Sequence, residues 1–260
     1  MARLRGGNAT SGRSAGHFLA ETVGRVRHAG ATGELTMRAD SGFYAHAVVE
    51  TCRRMGVRFS ITIRQQRSVR RLIEAIPADA WTPIPFWIDG GADVAETTYT
   101  PFAREKDAVP VRLIVRRVRP TPGSQLALFA LYDYHAFITD RPGATLELEA
   151  DRRRHAEIEN AIRDLKYGMG LNHLPSGRFA ANGAWLAVQV IAHNLARWTA
   201  RIGLGAGIVT AKTLRRRLFG LVGRLTRSAR RWTLHLPARW PWAVEFIAAL
   251  ARLRAIPLQA

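Results

Sequence analysis

The feature that most constrains this chain is a succession of strand, helix and strand between residues 34 and 63. Leu35, Met37 and Ala39 alternate with Thr36 and Arg38, and the run stops at Asp40, Ser41 and Gly42. That is the two-residue period of a half-buried strand closed by a turn. Ala45, Val48, Val49 and Cys52 then fall at helical spacing, and after Gly56 the alternation returns at Val57, Phe59, Ile61 and Ile63. Two strands joined through a helix pair in parallel, because a parallel connection needs the length that a crossover helix supplies. The expected class is therefore α/β, with Asp40 at the carboxyl end of a strand.

The flanking segments extend this frame. Phe18, Leu19, Val23 and Val26 predict a helix over residues 14 to 29, and a short helix is expected around 67 to 75. From about 81 to 140 the texture changes: after Pro83 and Pro85 come short strand-like runs near Phe86 to Ile88, Val111 to Val118, Leu126 to Leu131 and His135 to Ile138. This segment reads as an antiparallel β insertion. From about 148 onward the pattern is helical, with Pro175, the glycines at 203, 205 and 207, and Pro237 as breaks. Cys52, the one cysteine, lies on an apolar stripe and is expected to be a packing residue, which excludes disulfides and cysteine zinc sites.

Charge points to a partner. Lys and Arg total 39 against 20 Asp and Glu, a formal net charge of +19, and the pI is near 11.5. The excess is almost all arginine, whose planar fork suits phosphate. A nucleic acid is the leading inference; a generic basic surface and an anionic lipid surface are the alternatives. No window reaches 18 apolar residues and the N-terminus has no apolar signal core, so a cytoplasmic, nucleoid-associated protein with no membrane partner is expected.

A helix from roughly 150 to 167 carries the strongest signal. Ile158, Ala161, Ile162 and Leu165 are expected to form its buried stripe. Arg152, His155, Glu159, Arg163 and Lys166 step by three or four residues along the opposite side, with Glu159 the one acid among cations. Read alone, that row is a solvated face with intrahelical ion pairs. Likewise, Asp40 before Ser41 and Gly42 reads first as a helix N-cap, worth about 1 kcal/mol. His173 and His193 lack a second ligand at metal spacing and read as structural histidines. Trp232, Trp240 and Trp242, near Pro237 and Pro241, read as core at a helix junction, with base stacking as the alternative.

The order of elements and the run from Arg152 to Lys166 resemble the cut-and-paste DDE transposases of bacterial insertion sequences, whose Tyr, Arg, Glu, Lys signature spaces its last two residues as Glu159 and Lys166 are spaced. Arg152 stands where that signature has Tyr, and His155 where it has Arg. The segment Arg38 to Phe43 resembles the family's second catalytic aspartate at a strand end. Leu4 to Asn8 is similar to the turn after its third strand, and Leu171 to Gly177 and the C-terminal helices are also typical.

The resemblance implies a ribonuclease-H-like core, incomplete at its N-terminus, with a β-rich insertion and a helical C-terminal region. The expected boundaries are 1–78 for the partial core, 79–147 for the insertion, 148–202 for the core helices with the catalytic Glu, and 203–260 for a basic helical region. It implies Asp40 and Glu159 as ligands of Mg²⁺ or Mn²⁺, with Lys166 as the third catalytic residue. Arg152, His155, Arg163, Lys166, Lys212, Arg215, Arg216 and Arg217 are the expected phosphate contacts, with Arg224 extending the basic C-terminal helix. The implied partner is double-stranded DNA at terminal inverted repeats, and a homodimer on DNA is left open. The family's first aspartate would precede the turn at Leu4 to Asn8, so a truncated, catalytically impaired transposase is expected, or a non-catalytic DNA-binding remnant or repressor. Loss of the preceding strands would leave the strand at 34–39 with a bare edge, which invites aggregation.

Overall fold

Val57, Phe59 and Ile61 alternate with Arg58 and Ser60, and this run forms the strand from which the sheet is built. In a computed structural model, which describes residues 2–7, 12, 14–85, 91–120, 123, 132–153, 156–205, 207, 209–237 and 239–257, the chain divides into two units. One is Gly6–His155, here the sheet unit; the other is Met1–Arg5 with Ala156–Ala260, here the helical unit.

In the sheet unit, β1 (Leu35–Ala39) and β2 (Val57–Thr62) pair in parallel, Leu35 opposite Val57 through Ala39 opposite Ile61, joined by α2 (His46–Arg54). This is the expected crossover. α1 (Ala15–His28) precedes it and α3 (Arg67–Glu74) follows. Four further strands are β3 (Thr82–Ile84), β4 (Ala92–Tyr99), β5 (Val111–Val118) and β6 (Asp133–Thr139). All six lie in one mixed sheet ordered β1-β2-β6-β5-β4-β3.

The antiparallel character of the 81–140 segment is as expected, and its described strands lie in the same sheet as β1 and β2. β6 pairs directly with β2, Ser60 opposite Thr139, so the segment extends the core sheet. The cause is burial: Ile138 and Phe137 are both needed in the core, on opposite faces. Strand β4 was not among the expected runs, because Ala92, Asp93, Glu96 and the threonines carry little apolar alternation. Its position is set across the sheet by Arg117 to Asp93, 2.7 Å, and by Arg112 to Glu96. The expected runs at Phe86 to Ile88 and Leu126 to Leu131 lie outside the described residues.

Both faces of the sheet are covered. Val48, Val49 and Cys52 of α2 and Val69 and Ile73 of α3 pack with Phe59, Ile61, Leu113, Val115 and Ile138. Fully buried side chains of this size contribute about 1.5–3 kcal/mol each. Cys52 is buried as expected, and burial, with Asp140 nearby, pushes its thiol up to about 12. On the other face Val94, Ile114, Val118 and Phe137 meet Leu148 of α4 (Thr145–Arg153). Glu149 beside Leu148 is buried between Arg116 and Arg153, each 3.0 Å away, an ion-paired acid that fixes α4 on the sheet.

The helical unit contains α5 (Ala156–Arg163), α6 (Phe179–Trp198), α7 (Ala211–Leu214) and α8 (Ala243–Arg254). Each of α5, α6 and α7 runs into a π-helical turn, at Asp164–Gly168, Thr199–Gly203 and Arg215–Phe219. Its small core is Ala200, Leu214, Leu218 and Trp240.

Three expectations fail in this unit. Residues 203–260 are not wholly helical: β7 (Arg224–Ser228) and β8 (Arg231–His235) form an antiparallel hairpin, so Arg224 opens a strand rather than extending a helix. Trp232 is not core, being 61% exposed on that hairpin, whereas Trp240 is buried and Trp242 partly buried. Ile158 and Ile162 are 50% and 45% exposed, not buried. The packing of α5 is taken over by its C-terminal turn, where Asp164 and Gly168 meet α7.

Candidate active site and nucleic-acid interface

Asp40 stands, as its sequence context implies, at the carboxyl end of β1. Its backbone is extended, and the side chain caps the short 3-10 turn Ser41–Phe43 by accepting from Gly42 N–H, 2.9 Å. The structural reading of Asp40 as a cap is therefore realised. The residue is exposed, so the carboxylate is at the surface at the end of a parallel strand, where open α/β sheets place their sites.

The strand ends beside it are held by α4. Arg38 on β1 donates to Asp151, 2.7 Å, and Arg141 bonds the other oxygen of the same carboxylate. Arg152 donates to the backbone carbonyl of Ala39, 2.9 Å, and to the Thr62 hydroxyl. Its guanidinium thus ties together the carboxyl ends of β1 and β2, one residue from Asp40. Sequence reasoning placed Arg152 on a phosphate-facing stripe; the structure gives it these two protein acceptors. The stripe at residues 152 to 166 is divided between the units: Arg152 belongs to the sheet unit, and Glu159, Arg163 and Lys166 to the helical unit. His155 lies outside the described residues.

Glu159 is exposed on α5. Lys166, also exposed, is not on regular α-helix. It lies in the π turn Asp164–Gly168, where Met169 N–H reaches back to the Asp164 carbonyl and Asn172 N–H to that of Lys166. The wider turn rotates Lys166 away from the position that unbroken helical spacing gives it, and such turns recur at functional sites. Its cause is local. The Asp164 carboxylate accepts from Ala211 N–H with both oxygens at 3.0 Å and lies 3.1 Å from Nε2 of buried His193. Gly168 permits the approach, because a Cβ there would lie 2.3 Å from Asp164 Oδ1. His193 is thus the hydrogen-bonded structural histidine expected, while His173 is exposed.

Around this junction is an open groove of about 620 Å³, lined by Arg163, Tyr167, Arg197, Lys212 and Arg215 among others. Arg163 also bonds Asn160, and Arg215 donates to the Gly168 carbonyl. Four of these side chains are cations, and after Asp164 the one acid in the rest of the sequence is Glu245. Arg163, Lys212 and Arg215 are therefore gathered on one groove. Arg216 is exposed next to it in sequence, and the Arg217 guanidinium lies 5.5 Å from the Trp242 ring. Arg197 and Tyr167 are among the groove residues that sequence reasoning missed. Arg197 lies 31 positions beyond Lys166, and nothing in local spacing ties the two together.

Asp40 and Glu159 offer exposed carboxylate oxygens, the ligand type that Mg²⁺ and Mn²⁺ take. Among the described residues no group of three His, Cys, Asp or Glu side chains converges. No helix among them is long and apolar enough to cross a membrane.

Residues 1–258 match the family model described as transposase DDE domain group 1. No curated protein matches the chain.

Proposed function

Because the chain belongs to the transposase DDE domain group 1 family, we propose that it carries out metal-dependent strand transfer on double-stranded DNA at insertion-sequence ends, with Asp40 and Glu159 as metal ligands. The observation that carries this reading is the pair of exposed carboxylates in the family's order: Asp40 at the end of a parallel strand, and Glu159 on a helix bordered by a basic groove. The strand, helix, strand order with an antiparallel extension supports a ribonuclease-H-like core. Among the described residues β1 is the outer strand of the sheet.

Bound Mg²⁺ or Mn²⁺ would activate an attacking hydroxyl and stabilise the leaving oxygen, as in two-metal phosphoryl transfer. The protein's own part is positional. Arg152 and Asp151 lock the strand ends so that Asp40 keeps its place, and the cap on Ser41–Phe43 fixes the carboxylate rotamer. Arg163, Lys212 and Arg215 hold phosphates in the groove, with Lys166 and Arg216 beside them, and the release of counterions from the DNA drives this binding and makes it salt-dependent. Two copies on paired ends would present two such grooves.

A second reading, a DNA-binding protein that occupies element ends without cutting, is favoured by the use of Asp40 as a cap. Strand transfer from a pre-nicked element-end duplex, with Mn²⁺ or Mg²⁺, separates the two. Metal-dependent product that disappears in Glu159→Gln supports the catalytic reading. Salt-sensitive binding with no product in the wild type supports the second.

A further inference from the structure

The hairpin β7–β8 is a two-stranded sheet whose residues are exposed along both strands, apart from half-buried Thr226. Isolated two-stranded hairpins are marginal in water, so the exposure calls for an occupant. The register sorts the side chains into two faces. Arg224 and His235, Thr226 and Thr233, and Ser228 and Arg231 are opposite one another on one face; Leu225 and Leu234, and Arg227 and Trp232, are paired on the other. Thr226 Oγ1 lies 2.9 Å from His235 Nε2, and the Arg227 guanidinium lies 5.4 Å from the Trp232 ring. One face thus consists of cations and hydroxyls, and the other of two exposed leucines and an arginine over an exposed aromatic.

The turn is unusual. Ala229 and Arg230 both have positive φ, 47° and 61°, which is the backbone of a two-residue type I′ turn normally given to Asn and Gly. Holding two such residues left-handed is unfavourable, and strain of this kind gathers at ligand-contacting segments. The strain places an arginine at the tip of the ribbon, flanked by Arg227 and Arg231. No acid lies between Asp164 and Glu245 to offset them.

We propose that the ribbon Arg224–His235 inserts into the major groove of duplex DNA, a contact separate from the basic groove at α5. It rests on the reading that the chain handles DNA. A duplex major groove, about 12 Å wide, admits a two-stranded β-ribbon, whereas the minor groove, about 6 Å wide, does not. The hydroxyls of the polar face then supply donors to base edges, while Arg231 at the end of that face, Arg230 at the tip and Arg227 on the opposite face contact phosphates on the groove walls.

The test is duplex binding by the full chain across a salt series, with methylation interference at guanine N7, which lies in the major groove. Arg227→Ala, Arg230→Ala and Arg231→Ala combined is expected to weaken binding about tenfold or more and to make the salt slope shallower by about 2 to 3. Arg230→Gly relieves the turn, so weaker binding by a variant with an unchanged or higher Tm excludes misfolding as the cause. N7 methylation is expected to impede the wild type and to lose its effect in the triple variant. Wild-type binding that the triple variant retains with the same salt slope overturns the ribbon contact and leaves the DNA reading intact. A wild type that binds no duplex overturns that reading itself. Loss in the triple variant of self-association or of binding to phosphatidylserine vesicles, with DNA binding unchanged, assigns the ribbon to another occupant and overturns the proposal.

Discussion

Single residues decide how the groove is built, and Gly168 is the clearest case. A methyl group at this position would lie 2.3 Å from Asp164 Oδ1 and 3.1 Å from the Ala211 Cβ, where close packing leaves no room. Gly168→Ala is expected to destabilise the helical unit by about 1–3 kcal/mol, as overpacking does, measured as a lower Tm in calorimetry. An unchanged Tm would show that the Asp164 to Ala211 junction does not hold α5 and α7 together. Some of this scale was legible beforehand. Asp40 at a strand end, Cys52 in the core and a structural His193 all follow from local spacing. Asp164 was not, because its partners are 29 and 47 residues away and its place near Glu159 and Lys166 hides it among charges that look solvated.

Elements show the same division between local and distant causes. β1, α2 and β2 follow from periodicity alone, since a period of two and a period of 3.6 are hard to confuse in short, well-bounded runs. β4 and the hairpin β7–β8 escape that logic. The first is placed by cross-strand ion pairs, and the second lacks the Asn-Gly signal of its turn type. The exposed Ile158 and Ile162 mark the opposite failure: a helical apolar stripe on α5 for which no burial follows. Ion pairing at β4 has a pH consequence. Arg112 bonds Glu96 through Nε and Nη2, each at 2.6 Å, and Thr145 at the start of α4 donates to the same carboxylate. The Arg112 hydrogen bonds hold the Glu96 carboxyl below its usual range, against the opposing effect of burial. A depressed carboxylate stabilises the fold above its unfolded pKa, and the contribution is lost as pH falls through the folded value. Glu96→Gln is thus expected to unfold at lower urea than wild type at neutral pH, with the gap closing in strong acid; a gap independent of pH would contradict this coupling of β4, β5 and α4.

For the whole molecule, a net charge of +19 and the near absence of acid beyond Asp164 give the chain the electrostatics of a polyanion binder. Composition already shows the first, and the structure locates part of it on a groove and a ribbon. The division into Gly6–His155 and the remainder assigns Asp40 to one unit and Glu159 to the other. No local pattern in the sequence marks that division, since it falls within a continuous helical periodicity. The central proposal is that Asp40 and Glu159 are each ligands of divalent ions, and Mn²⁺ binding read by calorimetry tests it without requiring turnover. Asp40→Asn preserves a good N-cap and Glu159→Gln changes an exposed side chain, so neither should disturb folding. The wild-type chain is expected to bind Mn²⁺, and each single variant to bind it more weakly with an unchanged Tm. Undiminished Mn²⁺ binding in the single variants would contradict it.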